Sequence, residues 1–311
     1  MERPDTAAPA RVPSPETGRD QAMRFAPVFL LVSAASWAGN HVIARLIAGH
    51  VPPASLNLLR WLLVAAVIYA VAGRTVRQDW PAMRQGARVL IFLGVTGGGI
   101  FGTLQFVSLQ YTGVINMGVM NSVAPVFIVA ASWLLFRDPI GLRQVGGIAI
   151  SLVGILAIIS QLDAGRLSTF RFNTGDLIIL GNMVLWAVYS ACQRLMPKIR
   201  LESFLLAIAV VSALTNAPFA LYEHMSGFPL PFDKIAAGAI IYSGLVSSMV
   251  AYFCWARGVE LMGPGRAGVF LHVIPIFNAA LGTFILGEPL RAYHFVGFVL
   301  IIAGVALAAR Q

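Results

Sequence analysis

Residues 113–139 read GVINMGVMNSVAPVFIVAASWLLFRDP, and residues 263–289 read GPGRAGVFLHVIPIFNAALGTFILGEP. With a shift of 150, Gly113 meets Gly263, Gly118 meets Gly268, Pro125 meets Pro275, Phe127 meets Phe277, Pro139 meets Pro289, and Asp138 lands on Glu288. The same shift pairs Gly147 with Gly297 and Gly154 with Gly304, while a shift of 149 pairs Trp37 with Trp186 and Arg45 with Arg194. Self-similarity at a fixed interval means one structural unit used twice. Each copy is strongly apolar: of 311 residues 58% are hydrophobic and only 11% charged, and mean hydropathy is +0.79.

At about 20 residues per bilayer crossing, ten crossings consume roughly 200 residues and leave tails and short connections. Apolar runs near 25–47, 54–72, 89–111, 114–136, 142–160, 176–195, 203–222, 235–255, 265–286 and 292–309 supply those crossings. The expectation is an all-α integral membrane fold of ten transmembrane helices, arranged as two inverted five-helix repeats around a central cavity. Residues 1–24 read as a disordered cytoplasmic tail, 25–165 as the first repeat and 175–310 as the second. Five is odd, so the second copy enters the bilayer from the opposite side, as in many secondary transporters. Of 22 lysines and arginines, sixteen fall in segments on the side of the N-terminus and four (Arg166, Arg171, Lys234, Arg291) on the other, leaving Arg45 and Arg60 within or at the ends of spans. Positive charge marks the cytoplasmic side, so both termini are expected there, in a bacterial-type inner membrane.

Such a chain has no room for a soluble catalytic domain, and an enzyme is not expected. Neither Lys198 nor Lys234 follows a glycine-rich phosphate loop. Cys192 and Cys254 lie in separate apolar runs and read as packing residues, and His41 and His272 lack a second ligand at metal spacing. No cofactor, metal or nucleic-acid partner is expected; the partners are a small-molecule substrate and membrane lipid, with a monomer preferred and a dimer left open.

The pairs Asp138-Pro139 and Glu288-Pro289, together with the five-plus-five repeat, resemble the EamA branch of the drug/metabolite transporter superfamily. The run Ser36-Trp37-Ala38-Gly39-Asn40 and the length resemble its YddG-type exporters of aromatic amino acids. The resemblance implies alternating access and export of small amphipathic metabolites, above all aromatic and other hydrophobic amino acids. A drug or nucleotide-metabolite exporter is the alternative within transport; an integral-membrane enzyme or a structural protein is the alternative outside it.

Ser33, Trp37, Asn40, His41 and Ala44 form one stripe of the first helix, and Asn182, Trp186, Tyr189, Ser190 and Gln193 repeat the pattern in the sixth. Amides inside a bilayer face protein or water, so both stripes look inward. From these stripes Trp37, Asn40, His41, Trp186, Tyr189 and Ser190, with Gln105, Asn121, Tyr252 and His272 from the central helices, are the ten expected substrate-binding residues, the paired tryptophans stacking an aromatic cargo. Taken singly, each central-helix polar residue reads as a helix–helix hydrogen bond ahead of a ligand contact. Pro125 and Pro275 stand mid-span in equivalent helices and are the expected hinges. Gly94, Gly98 and Gly102 make a small-residue face, and Gly97-Gly98-Gly99 softens that helix. The fifth and tenth helices, apolar all round, are expected to face lipid or a second protomer. Asp176 is expected to cap the sixth helix, and Asp138 and Glu288 to cap or precede the fifth and tenth. No coupling carboxylate is evident at membrane depth, so transport is expected to run down the cargo's own gradient.

Overall fold

The computed structural model describes residues 15–139, 141–163, 165, 173–262 and 269–309, and among them there is no strand. The helices are α1 (Pro15–Leu46), α2 (Pro53–Gln85), α3 (Ala87–Leu93), α4 (Phe101–Tyr111), α5 (Val114–Asn121), α6 (Ala124–Phe136), α7 (Leu142–Ile159), α8 (Thr174–Cys192), α9 (Leu201–Met225), α10 (Lys234–Ile241), α11 (Ala251–Met262), α12 (Ile274–Leu286) and α13 (Ala292–Ala309). Helix α1 starts at Pro15, ahead of the expected Phe25. Six continuous stretches are long and apolar enough to cross a membrane, α5 and α6 make a seventh if their 43° bend is one span, and the helices at 142–158, 270–286 and 292–307 are shorter but apolar. Phe284, Val299 and Leu134 are 87%, 63% and 72% exposed, a surface suited to hydrocarbon rather than water.

Two stretches wind as π-helix, Gly94–Ile100 between α3 and α4 and Tyr242–Val250 between α10 and α11. The wider turn leaves backbone carbonyls that neighbouring side chains satisfy. Asn57 and Trp61 donate to Gly98 O at 3.1 and 3.0 Å, Ser212 to Gly94 O at 3.1 Å, and Trp37 to Ser247 O at 3.2 Å. The Gly97-Gly98-Gly99 run lies within the first π-helix, its glycine face taken up by α2 and α9.

Other backbone devices recur 150 residues apart. Arg137 and Gly287, which close α6 and α12, both take the left-handed conformation, with φ of 58° and 68°. Pro125 and Pro275 each sit in the first turn of the helix that follows a break, where the missing N–H costs no intrahelical bond. On the N-terminal side of Pro275 the chain is 3-10 helix, Val269–Val273.

Carboxylates at one helix's end serve the start of another. Asp79 of α2 accepts from the Arg200 N–H at 3.0 Å and from Ser203 Oγ at 2.6 Å, while Glu223 of α9 accepts from the N–H groups of Ala54 and Ser55, both at 2.8 Å. Helices α2 and α9 therefore run antiparallel, each end covering the other's unpaired N–H groups. Glu288 accepts from Val114 N–H at 2.9 Å and Ile115 N–H at 3.1 Å. Glu288 thus precedes the tenth helix, as expected, but does not cap it: its carboxylate serves the start of α5. Helix α13 is begun instead by His294 Nδ1, which accepts from Arg291 N–H at 3.0 Å, and α7 by Gln144 Oε1, which accepts from Gly141 N–H at 2.9 Å. Asp138 does not cap α7 either; it pairs with Arg194 at 2.6 Å, and that guanidinium holds its carboxyl below the usual carboxylate range.

Helices α7 and α13 pack on each other antiparallel. A methyl built on Gly154 would lie 2.9 Å from Gly297 O, Gly304 closes on Gly147 O, and Ser151 Oγ donates to Ile301 O. The contacts 147·304 and 154·297 exchange under the 150-residue shift. These helices are therefore not open all round: Val153 and Val299 are exposed, but the glycine faces are buried in this pair.

The connections gather at two ends. Arg200 meets Asp79, Arg194 meets Asp138 and Gly86 meets Pro197 at one end. At the other, His50 meets Asp233 at 2.6 Å, Asn173 donates to Tyr111 O at 2.9 Å, and Arg45 donates to Leu109 O at 2.8 Å. Asp233 is held below the usual carboxylate range, first by the Ala236 N–H that it caps and then by His50.

Candidate functional site

Two aromatic clusters are each built across the two halves of the chain. Trp37 of α1 meets Tyr252 edge-on, ring centres 5.9 Å apart, and Trp255 at 5.6 Å, both on α11. Trp186 of α8 meets Phe101 of α4 at 4.8 Å and Tyr189 at 5.1 Å. Tyr189, Tyr252 and Trp186 pack into one hydrophobic cluster with Trp61, which links the two aromatic groups. The helices below them are tied by one bond made twice: Ser33 donates to Ala251 O, and Asn182 Nδ2 donates to Phe101 O at 3.1 Å. Ser33 and Asn182 are 149 residues apart, and Phe101 and Ala251 are 150 apart. For these two stripe residues the helix-to-helix reading is the observed one.

The remaining expected residues divide. Tyr189 is 2% exposed, its ring pressed against Gly97 so closely that no Cβ fits there. Asn40 is buried and its Oδ1 has no partner; Oδ1 of Asn121 and Nδ1 of His272 are likewise buried and unmatched. An unmatched buried polar atom is costly, and such atoms fit a site that a solute or water fills. His41 differs, being engaged with Asn278 across α1 and α12 at 3.0–3.2 Å. Gln105, Ser190 and Trp186 are half-buried. Phe101 and Asn57 were not among the expected residues. Phe101 aligns with Ala251, so the repeat could not flag it, and Asn57 lay in an apolar run without a repeat partner.

Asp176 corrects a second expectation. Asn173 holds the cap position, accepting from Gly175 N–H at 2.7 Å, and Asp176 is turned inward at 1% exposure. It accepts from Thr112 Oγ1 at 2.6 Å and Asn116 Nδ2 at 3.3 Å, and Asn116 Oδ1 meets His294 Nε2 at 2.9 Å. This polar chain ties α4, α5, α8 and α13 at one end of the bundle. Among the described residues no group of three His, Cys, Asp or Glu side chains could hold a metal.

A cavity of about 640 Å³ opens at the end of α1, lined by Arg45, Gln110, Tyr111, Leu286 and Glu288 among others. None of the ten expected binding residues lines it. It lies at the mouth marked by His50 and Glu288, and the aromatic clusters lie deeper along α1 and α8.

Comparison with known proteins agrees with this architecture. A structure solved by crystallography superposes with a TM-score of 0.59 at 20% identity, covering 91% of this chain and 96% of that one, which is a likeness of fold. An uncharacterized transporter, YyaM, of Bacillus subtilis is 27% identical over 86% of this chain and 88% of its own. A "probable amino-acid metabolite efflux pump" of Salmonella typhimurium is 24% identical over 86% of this chain and 89% of its own. The profile of the EamA-like transporter family matches twice, over residues 24–160 and again over 173–310. With both halves matched, the chain belongs to the EamA-like transporter family.

Proposed function

We propose that this transporter exports small amphipathic metabolites, above all aromatic and other hydrophobic amino acids, by alternating access between two inverted five-helix halves. The observation that carries the cargo class is the pair of aromatic clusters, Trp37 with Tyr252 and Trp255, and Trp186 with Phe101 and Tyr189. A ring of the cargo packed against one of them gains about 0.5–1.5 kcal/mol beyond its area burial. The buried, unmatched polar atoms of Asn40, Asn121 and His272 support a site that a polar solute or water fills. The name of the Salmonella relative supports an amino-acid metabolite as cargo, and the Ser36–Asn40 run supports the YddG-type reading.

In this reading the bent pair and the three shorter apolar helices join the six long spans to make ten. Inversion is supported by the antiparallel pairs α2–α9 and α7–α13 and by the twofold exchange of their contacts. The arginine-rich end, with Arg84, Arg194 and Arg200, is the cytoplasmic one in this reading, in an inner membrane with both termini inside.

Purified protein in proteoliposomes, tested with labelled phenylalanine, tryptophan, leucine and alanine, tests the cargo. Replacing Trp37 or Trp186 by Ala is expected to lower transport of the aromatic solutes by about fivefold or more while alanine transport changes little. A uniform loss across all four solutes in folded variants would return both tryptophans to packing and remove the support for an aromatic cargo.

A further inference from the structure

Arg60 lies on α2 at 7% exposure, with its guanidinium carbon 5.0 Å from the centre of the Trp61 ring and 5.1 Å from that of Phe106. Among the described residues no carboxylate pairs with it, and its Nε is buried without a hydrogen-bond partner. A cation kept inside a membrane protein is costly unless something compensates it, and such residues mark ion or substrate paths. The two aromatic faces compensate it in part.

Asn57, one turn earlier, spends its amide donors on Gly98 O, Gly99 O and Thr103 Oγ1, at 3.1, 2.9 and 2.8 Å. That leaves its Oδ1 buried and unmatched. Both groups close on the same spot: a methyl built on Gly102 would lie 2.6 Å from Arg60 Nη2 and 2.8 Å from Asn57 Oδ1. An unpaired cationic donor and an unpaired acceptor therefore stand side by side. They are also held between the two π-helical stretches, since Gly98 and Gly99 belong to the first and the Arg60 carbonyl packs 3.2 Å from the Cβ position of Gly244 in the second. Such turns occur often at functional sites, where a helix must change its winding.

We propose that Arg60 and Asn57 form a zwitterion subsite, the Arg60 guanidinium taking the α-carboxylate of an amino-acid cargo and Asn57 Oδ1 accepting from its α-ammonium. This rests on the amino-acid reading above and adds the charged end of the cargo to it. A guanidinium presents paired N–H donors that match a carboxylate, and a charge-assisted pair formed away from water is stronger than a neutral one. Bare amines and bare acids each satisfy half of the subsite. The aromatic clusters select the ring, and this subsite selects the amino-acid head.

The test is binding to the purified full-length protein, followed by tryptophan fluorescence and by thermal shift, with three solutes that share one ring: L-phenylalanine, phenethylamine without the carboxylate, and 3-phenylpropionate without the ammonium. Wild type is expected to bind L-phenylalanine about tenfold or more tightly than either. Arg60→Gln is expected to erase the advantage over phenethylamine while leaving phenethylamine itself bound as before. If Arg60→Gln does not fold, Arg60→Lys reads the same contact: it keeps the charge, loses the planar fork, and is expected to lower the preference severalfold. Equal wild-type affinity for L-phenylalanine and phenethylamine would overturn the subsite, as would an undiminished preference in either folded variant. A wild type that binds none of the three solutes would instead overturn the amino-acid cargo, and the subsite with it.

Discussion

His41 and Asp176 are buried titratable side chains of the kind from which a proton-coupled carrier is built, and both are engaged by neutral amides or a hydroxyl. Asp176 sits in the first turn of α8, at one end of the bundle and away from the tryptophans. The cargo's own gradient is therefore expected to drive transport. A pH gradient across proteoliposomes with equal solute on both sides should give no sustained uphill accumulation, and Asp176→Asn should keep transport of the same order. Uphill accumulation that Asp176→Asn or His41→Gln removes would contradict this. At this scale the sequence was legible where the repeat doubled a residue: Trp37 and Trp186 both lie in aromatic clusters. It was silent where the partner is set by tertiary contact. Nothing in the chain around Glu288 says that its carboxylate serves Val114, 174 residues away, and nothing around Asp176 says that it turns inward to Thr112 and Asn116, 64 and 60 residues away.

The spans depart from regular α-helix at their breaks and at the π-helical and 3-10 stretches. Helices α5 and α6 meet at a 43° bend just ahead of Pro125, and the chain ahead of Pro275 is 3-10. The π-helical stretches lie in the neighbouring spans. If the prolines are hinges, Pro125→Ala and Pro275→Ala straighten one half each and favour one facing state. Turnover in proteoliposomes should fall several-fold at unchanged folded yield, and wild-type turnover in both variants would remove the hinges from the mechanism. Proline and glycine told where helices break because they act on their own backbone. The winding adopted at Gly94–Ile100 also depends on Asn57, Trp61 and Ser212 reaching its carbonyls from other helices, and no local pattern reveals those.

Across the whole molecule the apolar runs and the internal repeat made the helical, membrane-spanning character readable, because both are properties of the chain summed over many residues. The cavity was not readable: it lies at the mouth formed by Arg45, Gln110, Tyr111 and Glu288, where four loop-proximal residues meet only after folding. In the proposed function the two halves are inverted copies whose seam carries the cargo. Arg84 and Lys234 occupy equivalent places in the two halves, 150 residues apart. The direct test is a single cysteine placed beside each in turn, in a protein lacking Cys192 and Cys254, with an impermeant thiol reagent applied to intact cells and to inverted vesicles. Inversion predicts that the site near Arg84 is labelled only from the cytoplasmic side and the site near Lys234 only from the opposite side; labelling of both from one side would contradict it.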